Sequence, residues 1–498
     1  MMKLSKNYVF WFVTGSQHLY GPKTLEEVKQ DSQGIVTGLN EKGSLDYKVE
    51  FKALLTTSEE ITSLMKEANN DPSCAGIIGW MHTFSPAKMW IKGLSILSKP
   101  FVHLHTQFNR DIPWGEIDMD FMNLNQSAHG GREFGFINTR LRQPRKVIVG
   151  YWEEEEVKKQ LSCFMNVCVA IAESKCLKIA RFGDNMRYVA VTEGDKVEAE
   201  IKFGWEINGY GVGDLAQYVN AVTDEEVDAL YEEYKKNYNI IDESADSVKS
   251  IKYQAKIEIG MERFLVDGGF GAFTTTFEDL HGLDQLPGLA VQRLMEKGYG
   301  FAGEGDWKTA AMVRLTKIMG TNTGLGTSFM EDYTYHMDPV NPMVLGAHML
   351  EICPTIADSV VDIKVNPLGI GGKAAPARFT FECKTGPALN ASLVDLGGRM
   401  RLIINEVDAV KAPNEMPKLP VAQALWVPQP SLNEGAKAWI LAGGAHHTVY
   451  SMDVNAEQLL DFAEFMDIET VLINNNTNIS TFRQELKIQD LVWNLKSR

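Results

Sequence analysis

Two acidic and two histidine side chains form the strongest candidate set for chemistry in this sequence. They are Glu304, Glu331, His348 and His447. Two carboxylates and two neutral imidazoles would balance a divalent cation, and oxygen and nitrogen ligands without thiolate suit Mn²⁺, Mg²⁺ or Co²⁺. Such an ion polarises a carbonyl group, and a nearby carboxylate can then remove a proton from the adjacent carbon. The set therefore predicts metal-assisted proton transfer beside a carbonyl.

Each of these residues also has a plainer interpretation. Glu304 would serve equally well near the start of a helix that begins at about Trp307, because acidic residues favour helix N-termini. Glu331 stands beside another acid and would fit ordinary surface charge, and His348 in an apolar stretch would fit a core histidine. His447, which follows His446 after a double glycine, would fit a turn. Metal sites assembled from distant segments leave no regular spacing, so spacing alone leaves both interpretations open.

A second polar cluster occupies the N-terminal third. A sugar needs many hydrogen-bond partners, and polar residues at the strand ends of a parallel sheet can supply them. Turn and cap chemistry explains the same residue types equally well. The residues concerned are Gln17, His18, His103, His105, Asn123, Asn125, Gln126 and His129.

The first third alternates short apolar runs with helical patterns, which predicts a parallel sheet covered on both faces. The predicted strands are Tyr8–Val13, Lys48–Leu54, Ala75–Trp80 and Phe101–His105. The first of them is not followed by a GxGxxG pattern, which argues against a nucleotide cofactor at this position.

The middle of the chain predicts a second α/β unit, with strands at Leu177–Phe182, Tyr188–Val191 and Val197–Phe203. The last third changes character. Arg378–Lys384, Leu389–Leu396 and Met400–Val407 are short strand-like runs separated by glycine- and proline-containing turns. This spacing predicts an antiparallel sheet or a barrel.

Length and charge restrict the possible classes of protein. A chain of 498 residues exceeds one ordinary core and predicts several domains. The net charge of −16 argues against nucleic acid and anionic membranes as partners. No apolar run approaches the roughly 18 residues that cross a bilayer. The absence of a recognisable export signal, with six cysteines and no CxxC pair, predicts a cytoplasmic protein with reduced thiols.

Long stretches of the sequence resemble the L-arabinose isomerases. They span nearly the whole chain and include TGSQHLYGP from Thr14, MDFMNLNQSAHGGREFGF from Met119, RFGDNMR from Arg181, GYGFAGEGDWKTAA from Gly298, GTSFMEDYTYH from Gly326 and WILAGGAHHTV from Trp439. The resemblance implies an isomerase that converts L-arabinose to L-ribulose through a cis-enediol, the first step of L-arabinose catabolism.

The resemblance also implies roles for particular residues. Glu304, Glu331, His348 and His447 would ligate Mn²⁺, with Co²⁺ or Mg²⁺ as substitutes, and the two glutamates would be the catalytic acid–base pair. Side chains expected to line the sugar pocket are Gln17, His129, Met186, Phe277 and His446. Supporting positions around the metal and the substrate are Asp306, Phe329 and Glu351.

The implied fold has three parts. They are a Rossmann-like α/β domain over residues 1–175, a central α/β domain over 176–325 and a C-terminal β-barrel domain over 326–498. The resemblance further implies a homo-oligomer, usually a hexamer, in which the N-terminal domain of a neighbour completes the active site.

Three alternatives stay open. The chain could be an isomerase of another aldose, such as L-fucose or D-galactose. It could be a sugar-binding protein without catalysis, which would bind sugar tightly and not turn it over. It could also be a metal-dependent aldolase, which would release carbon–carbon cleavage products.

Overall fold

The computed structural model describes residues 4–41, 43–321, 323–369 and 372–496. The chain divides into an N-terminal unit, Leu4–Ala172, and a C-terminal unit, Glu173–Arg498. The boundary expected at residue 325 falls inside the C-terminal unit, and the three-domain division stays a prediction. Among the described helices, none combines the length and the apolar character that a membrane crossing requires.

A parallel sheet forms the centre of the N-terminal unit. Its strands are β1 (Val9–Gly15), β2 (Lys48–Leu55), β3 (Cys74–Met81), β4 (Phe101–His105) and β5 (Lys146–Val149). They pair in the order β2-β1-β3-β4-β5, and every pairing is parallel. Strand β3 is buried along its whole length, which explains its continuous apolar run. The predicted Rossmann-like arrangement is confirmed.

Helices connect these strands. They are α1 (Gly21–Leu39), α2 (Ser58–Asn70), α3 (Ile91–Ile96), α4 (Met119–Leu124), α5 (Ser127–Arg140) and α6 (Glu155–Ser174). Helix α2 shows why such segments are helical. The Thr57 hydroxyl accepts a hydrogen bond from the backbone N–H of Glu60, and the Glu60 carboxylate accepts one from the backbone N–H of Thr57. Residues at helical spacing such as Ile61 and Met65 are buried.

The C-terminal unit begins with a second α/β layer. Its strands are β6 (Lys178–Phe182), β7 (Glu206–Tyr210), β8 (Asn239–Ile240), β9 (Ala272–Thr275) and β10 (Gly300–Ala302). Its helices are α7 (Lys196–Phe203), α8 (Val212–Asn220), α9 (Asp224–Asn237), α10 (Ala245–Gly268), α11 (Leu289–Glu296) and α12 (Trp307–Met319). Strands β10, β9, β6 and β7 pair in that order, all parallel.

Two of the predicted strands in this region are wrong. Val197–Phe203 lies in helix α7, and Tyr188–Val191 is a loop that leads into a short 3-10 turn at Ala190–Thr192. Asp195 caps α7 by accepting hydrogen bonds from the backbone of Val197 and Glu198, and the cap starts a helix that the alternating sequence pattern does not reveal.

The rest of the chain forms a barrel with flanking elements. Its strands are β11 (Thr327–His336), β12 (Met343–Ala347), β13 (Asp362–Val365), β14 (Ala377–Thr380), β15 (Gly386–Asp395), β16 (Met400–Val410), β17 (Gln423–Pro428), β18 (His447–Ser451) and β19 (Glu469–Ile473). Its helices are α13 (Leu432–Ala442), α14 (Ala456–Phe465) and α15 (Ile479–Lys496).

The barrel closes through antiparallel pairs. Around it the order is β15-β18-β11-β12-β17-β16, and β16 pairs again with β15. Strand β19 joins β16 in parallel, and β13 and β14 pair beside the barrel with β8. The predicted C-terminal barrel is therefore confirmed, and its closure removes free edges from its strands.

Candidate functional site

Three of the four candidate ligands lie on neighbouring barrel strands. Glu331 in β11 stands opposite His447 in β18 on one side and opposite Ala347 in β12 on the other. His348 follows Ala347 directly. Antiparallel pairing therefore brings an acid and two imidazoles together at one end of the barrel.

The fourth candidate comes from the parallel sheet of the same unit. Glu304 lies two residues beyond the end of β10, Phe277 lies two residues beyond β9, and Met186 follows β6. These strands are neighbours, so their carboxyl ends meet at one edge of the sheet, where ligands bind in open α/β folds. The backbone N–H of Met186 donates to the carbonyl of Glu304 at 3.0 Å, which ties two of these loops together.

The acidic and imidazole groups approach one another without forming close ion pairs. Oε2 of Glu304 lies 3.7 Å from Nε2 of His447 and 3.5 Å from Nε2 of His446. Oε2 of Glu331 lies 4.0 Å from Nε2 of His348. Ligand atoms of Glu304, His446 and His447 all lie within 4.8 Å of one another. His446, expected to contact the sugar, thus also has the position of a possible metal ligand.

A carboxylate lies behind each of the two buried histidines. Nδ1 of His348 lies 2.5 Å from Oε2 of Glu351, and Nδ1 of His447 lies 3.2 Å from Oδ2 of Asp306. An ionised carboxylate only accepts hydrogen bonds, so each Nδ1 carries the proton and each Nε2 keeps its lone pair. Metal-binding histidines in proteins are held in this way.

The Nε2 atom of His447 indicates whether a metal ion would suit this site. This atom is buried and has no hydrogen-bond partner within the described residues. A buried polar atom without a partner is costly, and an ion would supply one. The orphaned nitrogen and the surrounding carboxylate and imidazole donors fit Mn²⁺ or a similar cation.

The ring of Phe329 lies edge-on to both histidines. Its centroid lies 4.9 Å from that of His348 and 5.0 Å from that of His447, and the side chain is fully buried. The ring contacts both imidazoles and restricts their rotation, and the supporting role of Phe329 stays a prediction.

Neighbouring charges lower the pKa values of Glu304 and Asp306 and raise that of His348. Burial alone would raise the pKa of Glu304, but the hydrogen bond with His446 and the proximity of His447 outweigh it and lower the pKa. Burial also opposes the shift at Asp306, yet Lys308 and His447 lower its pKa to about 2. At His348 the nearby Glu351 carboxylate overcomes burial and raises the pKa. Asp306 is therefore ionised at neutral pH.

Met186 and Phe277 line one cleft of about 610 Å³, and their contact with sugar stays a prediction. The sequence analysis did not single out Glu278, His281 and Lys373, which line the same cleft. Glu278 and His281 belong to the polar stretch that follows Phe277, and this polar stretch could have indicated in the sequence that they line the cleft. Lys373 comes from a distant segment of the chain.

Gln17 and His129 belong to the N-terminal unit. Gln17 follows the carboxyl end of β1, and His129 lies in the first turn of α5, where its ring stacks on Phe84 at 5.1 Å. The loops after β1 and β3 are joined by a 2.7 Å hydrogen bond between Ser16 and Thr83. Gln17 and His129 therefore both lie near the carboxyl edge of one parallel sheet. Their contact with sugar stays a prediction.

Comparison with known proteins covers almost the whole chain. Family models match residues 4–176, described as L-arabinose isomerase N-terminal domain, residues 178–322, the central domain, and residues 326–469, the C-terminal domain. An L-arabinose isomerase of Geobacillus stearothermophilus is 60% identical over 489 residues, covering 98% of each chain. One of Bacillus subtilis (strain 168) is 58% identical over 498 residues, covering 99% of this chain and all of that one.

Proposed function

Because the chain belongs to the L-arabinose isomerase family, we propose that it interconverts L-arabinose and L-ribulose as an aldose–ketose isomerase, at the entry to L-arabinose catabolism. The observation that carries the proposal is the placement of Glu304 and Glu331 around buried imidazoles, next to the cleft that Met186 and Phe277 line. Two acids beside a pocket suit a reaction that moves one proton between adjacent carbons.

Mn²⁺, or Co²⁺ or Mg²⁺ in its place, would be held by Glu304, Glu331, His348 and His447. When bound, such an ion polarises the carbonyl oxygen of the sugar and stabilises negative charge on oxygen. Asp306 and Glu351 fix the two imidazoles so that Nε2 of each faces the site. The side chains of His348 and His447 are 2% and 0% exposed and those of Glu304 and Glu331 14% and 21%, so the acids remain reachable by substrate.

The two carboxylates share the proton transfers. From aldose to ketose, one carboxylate takes the proton from C2 while the C1 carbonyl oxygen gains a proton, which gives a cis-enediol. Loss of the proton from the C2 hydroxyl and return of a proton to C1 then give the ketose, with no net change in electrons. The lowered pKa of Glu304 keeps that carboxylate ionised at neutral pH, which is the form that can accept a proton.

Specificity would come from the walls of the cleft. Met186 and Phe277 present apolar surface to the carbon chain, and His446 stands at the edge of the acidic cluster. We further propose that the protein is a homo-oligomer, a hexamer in the simplest case, in which Gln17 and His129 of a neighbouring copy contact the sugar. Size measurement in solution with a light-scattering detector tests the oligomer separately from the activity.

The decisive experiment is an L-arabinose to L-ribulose assay on chelated protein, titrated with Mn²⁺. We expect little turnover after chelation and full recovery with the ion. Full activity after verified metal removal would defeat the metal role. Parallel assays with L-fucose and D-galactose would identify another preferred aldose. Sugar binding without turnover would identify a sugar-binding protein. Carbon–carbon cleavage products would identify an aldolase.

A further inference from the structure

The backbone of Glu304 has an unusual conformation. Its φ angle is +60°, in the left-handed region, and Gly305 follows with φ +77°. A residue with a Cβ atom enters this region at a cost, and such a conformation persists only where surrounding contacts hold it. The contacts that hold Glu304 therefore determine where its carboxylate points.

Asn185 provides one of these contacts to the loop that contains Glu304 and Gly305. Its side chain is buried, and its Nδ2 donates to the carbonyls of Gly305 at 3.2 Å and Thr192 at 2.7 Å. The loop also packs directly against the Asn185 backbone, because a Cβ atom on Gly305 would lie only 2.6 Å from Cα of Asn185. The next residue, Met186, donates its backbone N–H to the Glu304 carbonyl.

Arg181 fixes which way the Asn185 amide faces. Its Nη1 donates to Oδ1 of Asn185 at 2.5 Å, and it also pairs with Asp184 at 2.7 Å. A guanidinium only donates and a backbone carbonyl only accepts, so the amide has one orientation that satisfies all its partners. The charged donor strengthens this arrangement.

We propose that Asn185, oriented by Arg181, is a positioning residue that holds the backbone of Glu304 and thereby aims its carboxylate at substrate and metal. Asn185 touches neither substrate nor the reacting atoms in this arrangement and acts through the loop alone. The inference rests on the proposed function for Glu304, and it adds Asn185 and Arg181 to the part of the RFGDNMR segment that Met186 already plays in the cleft.

The test compares Asn185→Ala and Asn185→Asp with a matched control, Asn405→Ala. Asn405 is a buried asparagine whose Nδ2 also donates to backbone carbonyls, those of Glu406, Gln429 and Ile473, in the barrel region. The aspartate variant keeps the shape of the side chain but places oxygen against two carbonyl oxygens. For each variant we measure kcat, KM, the affinity for Mn²⁺ of the chelated protein by calorimetry, and Tm.

Displacing a reacting group by about 1 Å can cost on the order of 10²-fold in rate, so we expect kcat to fall ~10- to 100-fold in both Asn185 variants. KM should change much less, and Mn²⁺ affinity should fall. Asn405→Ala should lower Tm while kcat and Mn²⁺ affinity stay at the wild-type level. If Asn185→Ala lowers only Tm, as the control does, the positioning role is wrong.

Arg181→Met provides a second variant if the Asn185 variants fail to fold. The Arg181→Met substitution frees the Asn185 amide to rotate, so kcat should also fall, but less than in the Asn185 variants. An unchanged kcat in Arg181→Met overturns the proposal. An inactive wild-type protein on L-arabinose would refute the proposed function instead. If the wild-type protein converts L-arabinose without binding Mn²⁺, the metal role is wrong. The role of Asn185 is then still decided by whether its variants lower kcat more than they change KM.

Discussion

Oδ2 of Asp306 lies 3.2 Å from Nδ1 of His447, and both side chains are almost completely buried. Asp306 also caps helix α12, where Thr309 donates to it through its backbone N–H and its hydroxyl. One carboxylate thus joins the start of a helix to an imidazole at the barrel end. Its ionised form keeps the proton on Nδ1 of His447 and leaves Nε2 free to bind an ion.

Asp306→Asn separates these two roles. Asparagine is as good a helix cap as aspartate, but it removes the counter-charge of the buried Lys308 ammonium 3.6 Å away, so Tm should fall even though the cap is kept. The neutral amide holds the His447 tautomer less firmly, and we expect Mn²⁺ affinity and kcat to fall about 10- to 100-fold. Asp195→Asn, at the cap of α7, is the matched control and should leave both Mn²⁺ affinity and kcat unchanged. Wild-type Mn²⁺ affinity in Asp306→Asn would show that its charge has no part in orienting His447.

Glu304→Gln and Glu331→Gln remove the proposed proton carriers. Each substitution keeps the size of the side chain, so the protein should stay folded, while kcat should fall by about 10²- to 10⁴-fold or more. The measurement is turnover of L-arabinose at saturating Mn²⁺, with circular dichroism as the check on folding. Glu406→Gln, on barrel strand β16, controls for loss of a negative charge. Near-normal turnover in either variant would remove that carboxylate from the mechanism.

His348→Asn and His446→Asn distinguish two possible ligand sets. The sequence resemblance selects His348, whereas the most compact group in the described structure contains His446 with Glu304 and His447. Mn²⁺ should raise the Tm of chelated wild-type protein by mass action. We expect His348→Asn to abolish most of that rise, because Glu351 holds its imidazole in a ligand orientation, and His446→Asn to retain the rise but increase KM. The opposite pattern would place His446 in the metal site.

The residue types of the site were visible in the sequence, but their proximity was not. Glu331 and His447 come together because β11 pairs with β18, more than a hundred residues later, and no local pattern encodes that register. The motif resemblance supplied the grouping that spacing could not. Asn185 lies in the resembling stretch RFGDNMR but received no role, because a buried amide that supports a loop looks in sequence like any loop asparagine.

Local patterns predicted elements well where one face is buried against a core. The turn at Gly397 and Gly398 was expected from its residues, and both glycines have φ +76° between β15 and β16. Helix α7 was misread because Val197 and Ile201, which alternate with polar residues, are exposed, while Ala199 and Phe203 are buried at helical spacing. Alternation identifies a strand only when the apolar residues are those that become buried.

Glu60 gives a prediction for acid stability in the N-terminal unit. Burial is the largest single effect and would raise the pKa of Glu60, but the hydrogen bonds from Thr56 and Thr57 together outweigh it and lower the pKa below the ordinary 4.5. Its ionised form therefore stabilises the fold above about pH 4.5, and this contribution is lost as the pH falls through the folded-state pKa. Glu60→Gln should lower Tm by about 1–2 °C at pH 7, since solvent screens the site, and by less at pH 3. Glu59→Gln, in the same helical turn, should show a smaller change, and equal changes would contradict the assignment.

Gly303→Ala tests the packing of the glycine loop on His348. A methyl group there would lie 3.1 Å from Cε1 and 3.4 Å from Nε2 of that imidazole, so the ring must shift by a few tenths of an ångström. We expect kcat to fall about tenfold and Mn²⁺ affinity to fall with it, because small displacements of reacting groups are costly. Gly213→Ala in α8 is the control, since its methyl group meets no atom of the described chain within 4 Å and alanine favours helix. If both variants keep wild-type kcat and Mn²⁺ affinity, the position of His348 tolerates this shift and the close approach of Gly303 has no catalytic role.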